Sequence, residues 1–177
     1  MNKKRAQMKL SFGMIFSIIL IIIFLSVAFY AITKFLDLKD DIQVGDSINK
    51  LESDVNRIWR ATQASEEHTY VFPEKIELVC FIDYDKDSKG EFTTYKEGSE
   101  LVNIYKKLRK RTNIHNKNLF FYPIGSGGST GAYNLKHINL TKITSEDNPY
   151  CFENFNGKTS MILKKEFGKN SVIIKRL

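Results

Sequence analysis

Charge is absent from Leu10 to Thr33, a run of 24 residues that also lacks Pro and His and holds a single Gly. A soluble domain would have to bury such a segment on every side, which a chain of 177 residues can scarcely do. Cysteine and histidine are nearly as scarce. The two cysteines, Cys80 and Cys151, have no second Cys or His at ligand spacing, which argues against a zinc site. His68, His115 and His137 are scattered, without an i,i+4 pair or an adjoining carboxylate motif. The Gly-rich stretch Gly125–Gly131 lacks the Lys-Ser/Thr ending of a phosphate-binding loop. No acid, base and nucleophile form a recognisable set, so an enzyme is not expected.

What stands in the uncharged run is enough for a membrane span. As a helix it reaches about 36 Å, against a hydrocarbon core of about 30 Å. Lys3, Lys4, Arg5 and Lys9 precede it, while Lys34, Asp37, Lys39, Asp40 and Asp41 follow. The positive flank predicts a cytoplasmic N-terminus and an extracytoplasmic C-terminal part, with Phe29, Tyr30 and Phe35 as interfacial anchors. A cleaved signal after Ser26-Val27-Ala28 is the competing reading. The apolar run continues through Ile32, longer than a usual signal core, which favours a retained anchor.

The remainder reads as one domain on a stalk. Val44, Ile48, Leu51, Val55 and Ile58 recur at spacings of four, three, four and three, a stripe on one helical face. The predicted organisation is a basic cytoplasmic lead (1–9), a transmembrane helix (10–33), an amphipathic helical stalk (34–66) and an extracytoplasmic head (67–177). One long helix from Ser11 to about Arg60 is the simplest form, its stripe buried on its own head or on a neighbour. The fold class expected is α+β, the head being antiparallel, β-rich and crossed by one helix. Strands are predicted over 74–82, 119–124, 133–143, 160–167 and 171–174, the last two joined by a hairpin at Gly168-Lys169-Asn170. The crossing helix is predicted from a Ser99 cap through Leu101, Val102, Ile104, Tyr105 and Leu108.

Candidate sites follow from residue type. On the oxidising side of a membrane Cys80 and Cys151 are most simply a disulfide, two buried thiols being the alternative. Asp83, Asp85 and Asp87 alternate as in many calcium loops, although Ser88 and Thr94 stand where an EF-hand has Gly and Glu. An acidic hairpin tip explains the same residues. Gly127-Gly128-Ser129-Thr130-Gly131 matches a nucleophile elbow, which requires a following helix that this sequence does not clearly offer. Asn139-Leu140-Thr141 is a glycosylation sequon. Residues 106–177 carry fourteen basic and four acidic side chains, whereas residues 34–105 have nine basic and sixteen acidic. That division suggests an anionic partner such as nucleic acid, with Arg109, Lys110, Arg111, Lys164, Lys165 and Lys175 as contacts.

The lead ending Lys4-Arg5-Ala6-Gln7, the uncharged helix, its amphipathic continuation and a β-rich head with paired cysteines resemble an archaeal type IV pilin-like protein with a class III-type signal-anchor. The run from Leu10 to Leu20 and Cys80-Phe81 also resemble single-pass membrane proteins of small-genome archaea. The resemblance implies cleavage between Ala6 and Gln7 by a prepilin peptidase. It also implies a cell-surface structural role, with self-association or pairing with other pilin-like subunits through the N-terminal helix. The alternative is a single-pass anchor displaying a head that binds calcium or an anionic polymer.

Overall fold

The computed structural model describes residues 12–93, 95–97, 100–109, 116–129 and 131–177, which fall into two compact units divided between Leu38 and Lys39. Helix α1 covers Phe12–Arg60. In the first unit every described residue is exposed, among them the large apolar side chains Phe16, Ile21, Phe24 and Phe29. In the second unit Val44, Ile48, Leu51, Val55 and Ile58 are all buried, so the predicted stripe packs on the chain's own head. At the helix end, Lys165 Nζ donates to the carbonyl of Trp59 and brings positive charge to the negative pole of the helix.

The elements after α1 are β1 (Ala64–Val71), β2 (Leu78–Phe81), a 3₁₀ turn (Glu91–Thr93), β3 (Tyr95–Glu97), β4 (Glu100–Val102), α2 (Ile104–Arg109) and β5 (Leu119–Tyr122). Then come β6 (Ala132–Tyr133), α3 (Leu140–Ile143), β7 (Tyr150–Glu153), β8 (Lys158–Lys165) and β9 (Ile173–Lys175). They make three antiparallel sheets: β1-β8-β9, β6-β5-β2-β7, and the hairpin β3-β4.

The four-stranded sheet is covered on both faces, and the side-chain period of two sorts its residues between two cores. Val79, Phe81, Leu119, Phe121 and Phe152 join the α1 stripe, Tyr70, Met161 and Leu163. Leu78, Cys80, Phe120, Tyr122 and Cys151 face the other way, onto Phe92, Ile104, Tyr105 and Leu108. Every position of β2 and β5 is therefore buried, which is why these strands read as unbroken apolar runs rather than as alternation.

Three expectations need correcting. Leu101 and Val102 lie in β4, opposite Lys96 and Tyr95, and not in a helix. The helix cap is Asn103, whose Oδ1 accepts the N–H of Lys106 at 2.8 Å, so α2 begins only at Ile104. Residues 133–143 are not one strand: β6 ends at Tyr133, His137 takes a φ of 61°, and Asn139 caps the short α3 by accepting the N–H of Lys142. The head thus holds more than one short helix.

Candidate functional site

The first part of α1 has no protein cover along its described length. Among the described residues one helix is long and apolar enough to cross a membrane by length and composition, and its most apolar stretch has no buried residue. Polar groups inside it are spent locally: the hydroxyls of Ser17 and Ser26 donate to the carbonyls of Gly13 and Ile22, each at 2.8 Å. Such bonds satisfy both serine hydroxyls without water. Ala6 and Gln7, where cleavage by a peptidase is expected from the resemblance, lie outside the described residues.

The cysteine pair is a cross-strand disulfide. Cys80 and Cys151 face each other in the β2–β7 ladder, with Cα atoms 4.0 Å apart, and both are fully buried.

The acidic loop owes its order to an amide. Asp83 is buried, its Oδ1 accepts the N–H of Asp85 at 3.1 Å, and its Oδ2 lies 3.5 Å from Lys86 Nζ. The carbonyls of Asp83 and Asp87 turn toward Asn148 Nδ2, at 2.8 and 3.1 Å. A neutral donor thus gathers these carbonyls. Among the described residues no group of three or more His, Cys, Asp or Glu is placed to hold a metal ion.

The basic residues named from sequence are dispersed in role. Lys165 caps α1, Lys164 lies 4.0 Å from Glu166, and Lys175 lines a cleft of about 320 Å³ beside β9. That cleft also holds the Lys142–Glu166 ion pair at 3.0 Å, which keeps the Glu166 carboxyl below its ordinary range. Arg109 is the last residue of α2, and Lys110 and Arg111 lie outside the described residues. The acidic and basic halves of the sequence are interleaved, because β1 pairs with β8 and β2 lies between β5 and β7.

Ser129 of the elbow match lies in the loop between β5 and β6, and the next element is a strand rather than the helix an elbow requires. Its N–H faces Asp41 Oδ2 at 3.4 Å. Gly128, at φ +62°, leaves room for that carboxylate: a Cβ there would stand 1.6 Å from Asp41 Oδ1. Asn139 commits Oδ1 to its helix cap.

Two groups escaped sequence reasoning because their members are far apart in the chain. On α1 and β1, Arg57 makes two 2.8 Å bonds to Glu66, which draws the Glu66 carboxyl below its ordinary range. His68 lies 3.3 Å from both Asp54 and Glu66, and Tyr70 donates to Asp54 at 3.1 Å. The arrangement clasps α1 to β1, with His68 Nε2 also 3.4 Å from Arg57 Nη2. Near the C-terminus the Arg176 guanidinium sits over the rings of Phe92 and Tyr150, at 4.8 and 4.4 Å. Its Nε donates to the Cys151 carbonyl at 2.9 Å, and Nη1 pairs with Asp147 at 3.1 Å.

No known protein family, curated protein or solved structure matches this chain.

Proposed function

We propose that this chain is a single-pass membrane protein that holds a non-catalytic, disulfide-bonded head outside the cell, arranged as in pilin-like surface subunits. The observation that carries the reading is α1 itself. One helix supplies an uncovered apolar segment and then, from Val44 onward, the stripe that forms the head's core. The basic flank before Leu10 supports a cytoplasmic N-terminus. The buried Cys80–Cys151 bond supports an oxidising compartment for the head.

In a filament the same apolar side chains would exchange lipid for other helices of the same kind, at little cost in polar desolvation. The test is to extract host membranes with alkaline carbonate and sequence the N-terminus of the retained protein. Retention supports the anchor, and Gln7 as first residue supports pilin-type processing. Release into the carbonate supernatant overturns both, whereas retention with Met1 intact overturns the processing alone.

A further inference from the structure

The edge of the four-stranded sheet is fastened by a residue that follows the other sheet. β7 stands at one end of the order β6-β5-β2-β7 and carries Cys151 of the disulfide. Arg176, just after β9, reaches it from outside: Nε donates to the Cys151 carbonyl at 2.9 Å, and the backbone N–H donates to Tyr150 Oη at 3.0 Å. Asp147, ahead of β7, divides its oxygens between two segments. Its Oδ2 pairs with Arg176 Nη1 at 3.1 Å, and its Oδ1 accepts the N–H of Glu91 at 3.2 Å. The guanidinium lies over the rings of Tyr150 and Phe92, and Phe92 belongs to the core that holds both cysteines. One side chain therefore gathers the 3₁₀ turn, the approach to β7 and β7 itself.

We propose that Arg176 is a latch that keeps the Cys80–Cys151 bond closed to thiol exchange while the head stays folded. The inference stands apart from the membrane reading above. Both cysteines are fully buried, so exchange needs an opening, and an edge strand with a single ladder partner opens at less cost than the strands inside the sheet. Releasing Arg176 frees Phe92 and the outer side of β7 together. The latch is also made to let go. Arg176 Nη2 is buried with no hydrogen-bond partner among the described residues, a donor that regains water when the side chain swings out. Lysine cannot do the same work, because it lacks the planar fork that stacks between two rings while donating from two nitrogens. Once the edge is open, a dithiol attacks one sulfur and the S–S bond breaks. The dithiol gives up two electrons and leaves as a cyclic disulfide, while Cys80 and Cys151 become thiols.

The test treats full-length protein in detergent with dithiothreitol across a denaturant series and counts alkylated cysteines by intact mass. Wild-type reduction should follow global unfolding throughout. Arg176→Ala should add a branch at low denaturant that is nearly independent of denaturant and at least about tenfold faster than wild type. Arg176→Lys, which keeps the charge and the backbone bond to Tyr150, should show the same branch, and it serves if the alanine variant does not fold. Arg57→Ala is the control for stability alone: it breaks the pairing with Glu66 on β1 and leaves β7 untouched, so its reduction should still follow global unfolding. Reduction of both Arg176 variants that rises only as far as their unfolding midpoints fall would overturn the latch, as would an equal low-denaturant branch in Arg57→Ala.

Discussion

Asn148 holds Asp83 from both sides of its amide, accepting the Asp83 N–H at 3.1 Å and donating to the Asp83 carbonyl at 2.8 Å, with no part of the residue exposed. This contact ties the acidic turn after β2 to the segment that leads into β7. Replacing Asn148 by Ala leaves buried backbone groups unpaired, each costing roughly 1–3 kcal/mol. The Asn148→Ala head is expected to lose about 2–4 kcal/mol, read as a lower denaturant midpoint for detergent-solubilised protein. An unchanged midpoint would show that the loop is ordered by something else.

Two glycines predict opposite signs. At Gly45 in α1 a Cβ would meet nothing within 4 Å, so Gly45→Ala should stabilise by about 0.5–1 kcal/mol through helix propensity. At Gly127 a Cβ would stand 2.5 Å from Cδ2 of the buried Phe121, and Gly127→Ala should destabilise by about 1–3 kcal/mol. Thermal unfolding of the two variants side by side checks the pair.

Stability should fall at both ends of the pH range. Glu66 is held below its ordinary value of 4.5, first by its hydrogen bonds to Arg57. Because the folded value is the lower one, this contribution is complete above pH 4.5 and vanishes as pH falls through the folded value. Tyr70 and Tyr84 are raised above the ordinary 10.0, chiefly by burial, with Asp54 adding to Tyr70. Their contribution is complete below pH 10.0 and is lost as pH rises toward the folded values. Unfolding midpoints from pH 2 to 12 test both limbs, and Glu66→Gln should flatten the acid one.

The disulfide closes 71 residues and should contribute about 4 kcal/mol by chain entropy. Since Cys80 and Cys151 are fully buried, reductant should act only on opened molecules. Reduction is expected to be slow in buffer and to accelerate steeply across the denaturant transition. Equal rates in both conditions would contradict the burial.

How legible the chain is depends on where its apolar residues fall. The α1 stripe and the β8–β9 hairpin are readable because their spacing is the geometry, and the Cys pair because the sequence holds just two cysteines, both beyond the apolar run. Strand β1 is not: Ala64–Val71 is an edge strand whose Ser65, Glu66, Glu67 and His68 hide any alternation, so the stalk is read to residue 66. Leu101, Val102, Ile104, Tyr105 and Leu108 share a helical face in sequence, yet the first two pair in a hairpin. Asn148, Arg176 and the Asp54–His68 clasp carry no local signal, because each acts on residues well removed in sequence. Their roles exist only after the strands have been brought together.

The anchor and its sidedness are tested most directly on sealed, right-side-out membrane vesicles carrying full-length protein tagged at each end. Protease added outside should remove the C-terminal tag, while the N-terminal tag disappears only after detergent opens the vesicles. Loss of both tags without detergent, or protection of the C-terminal one, would contradict the account.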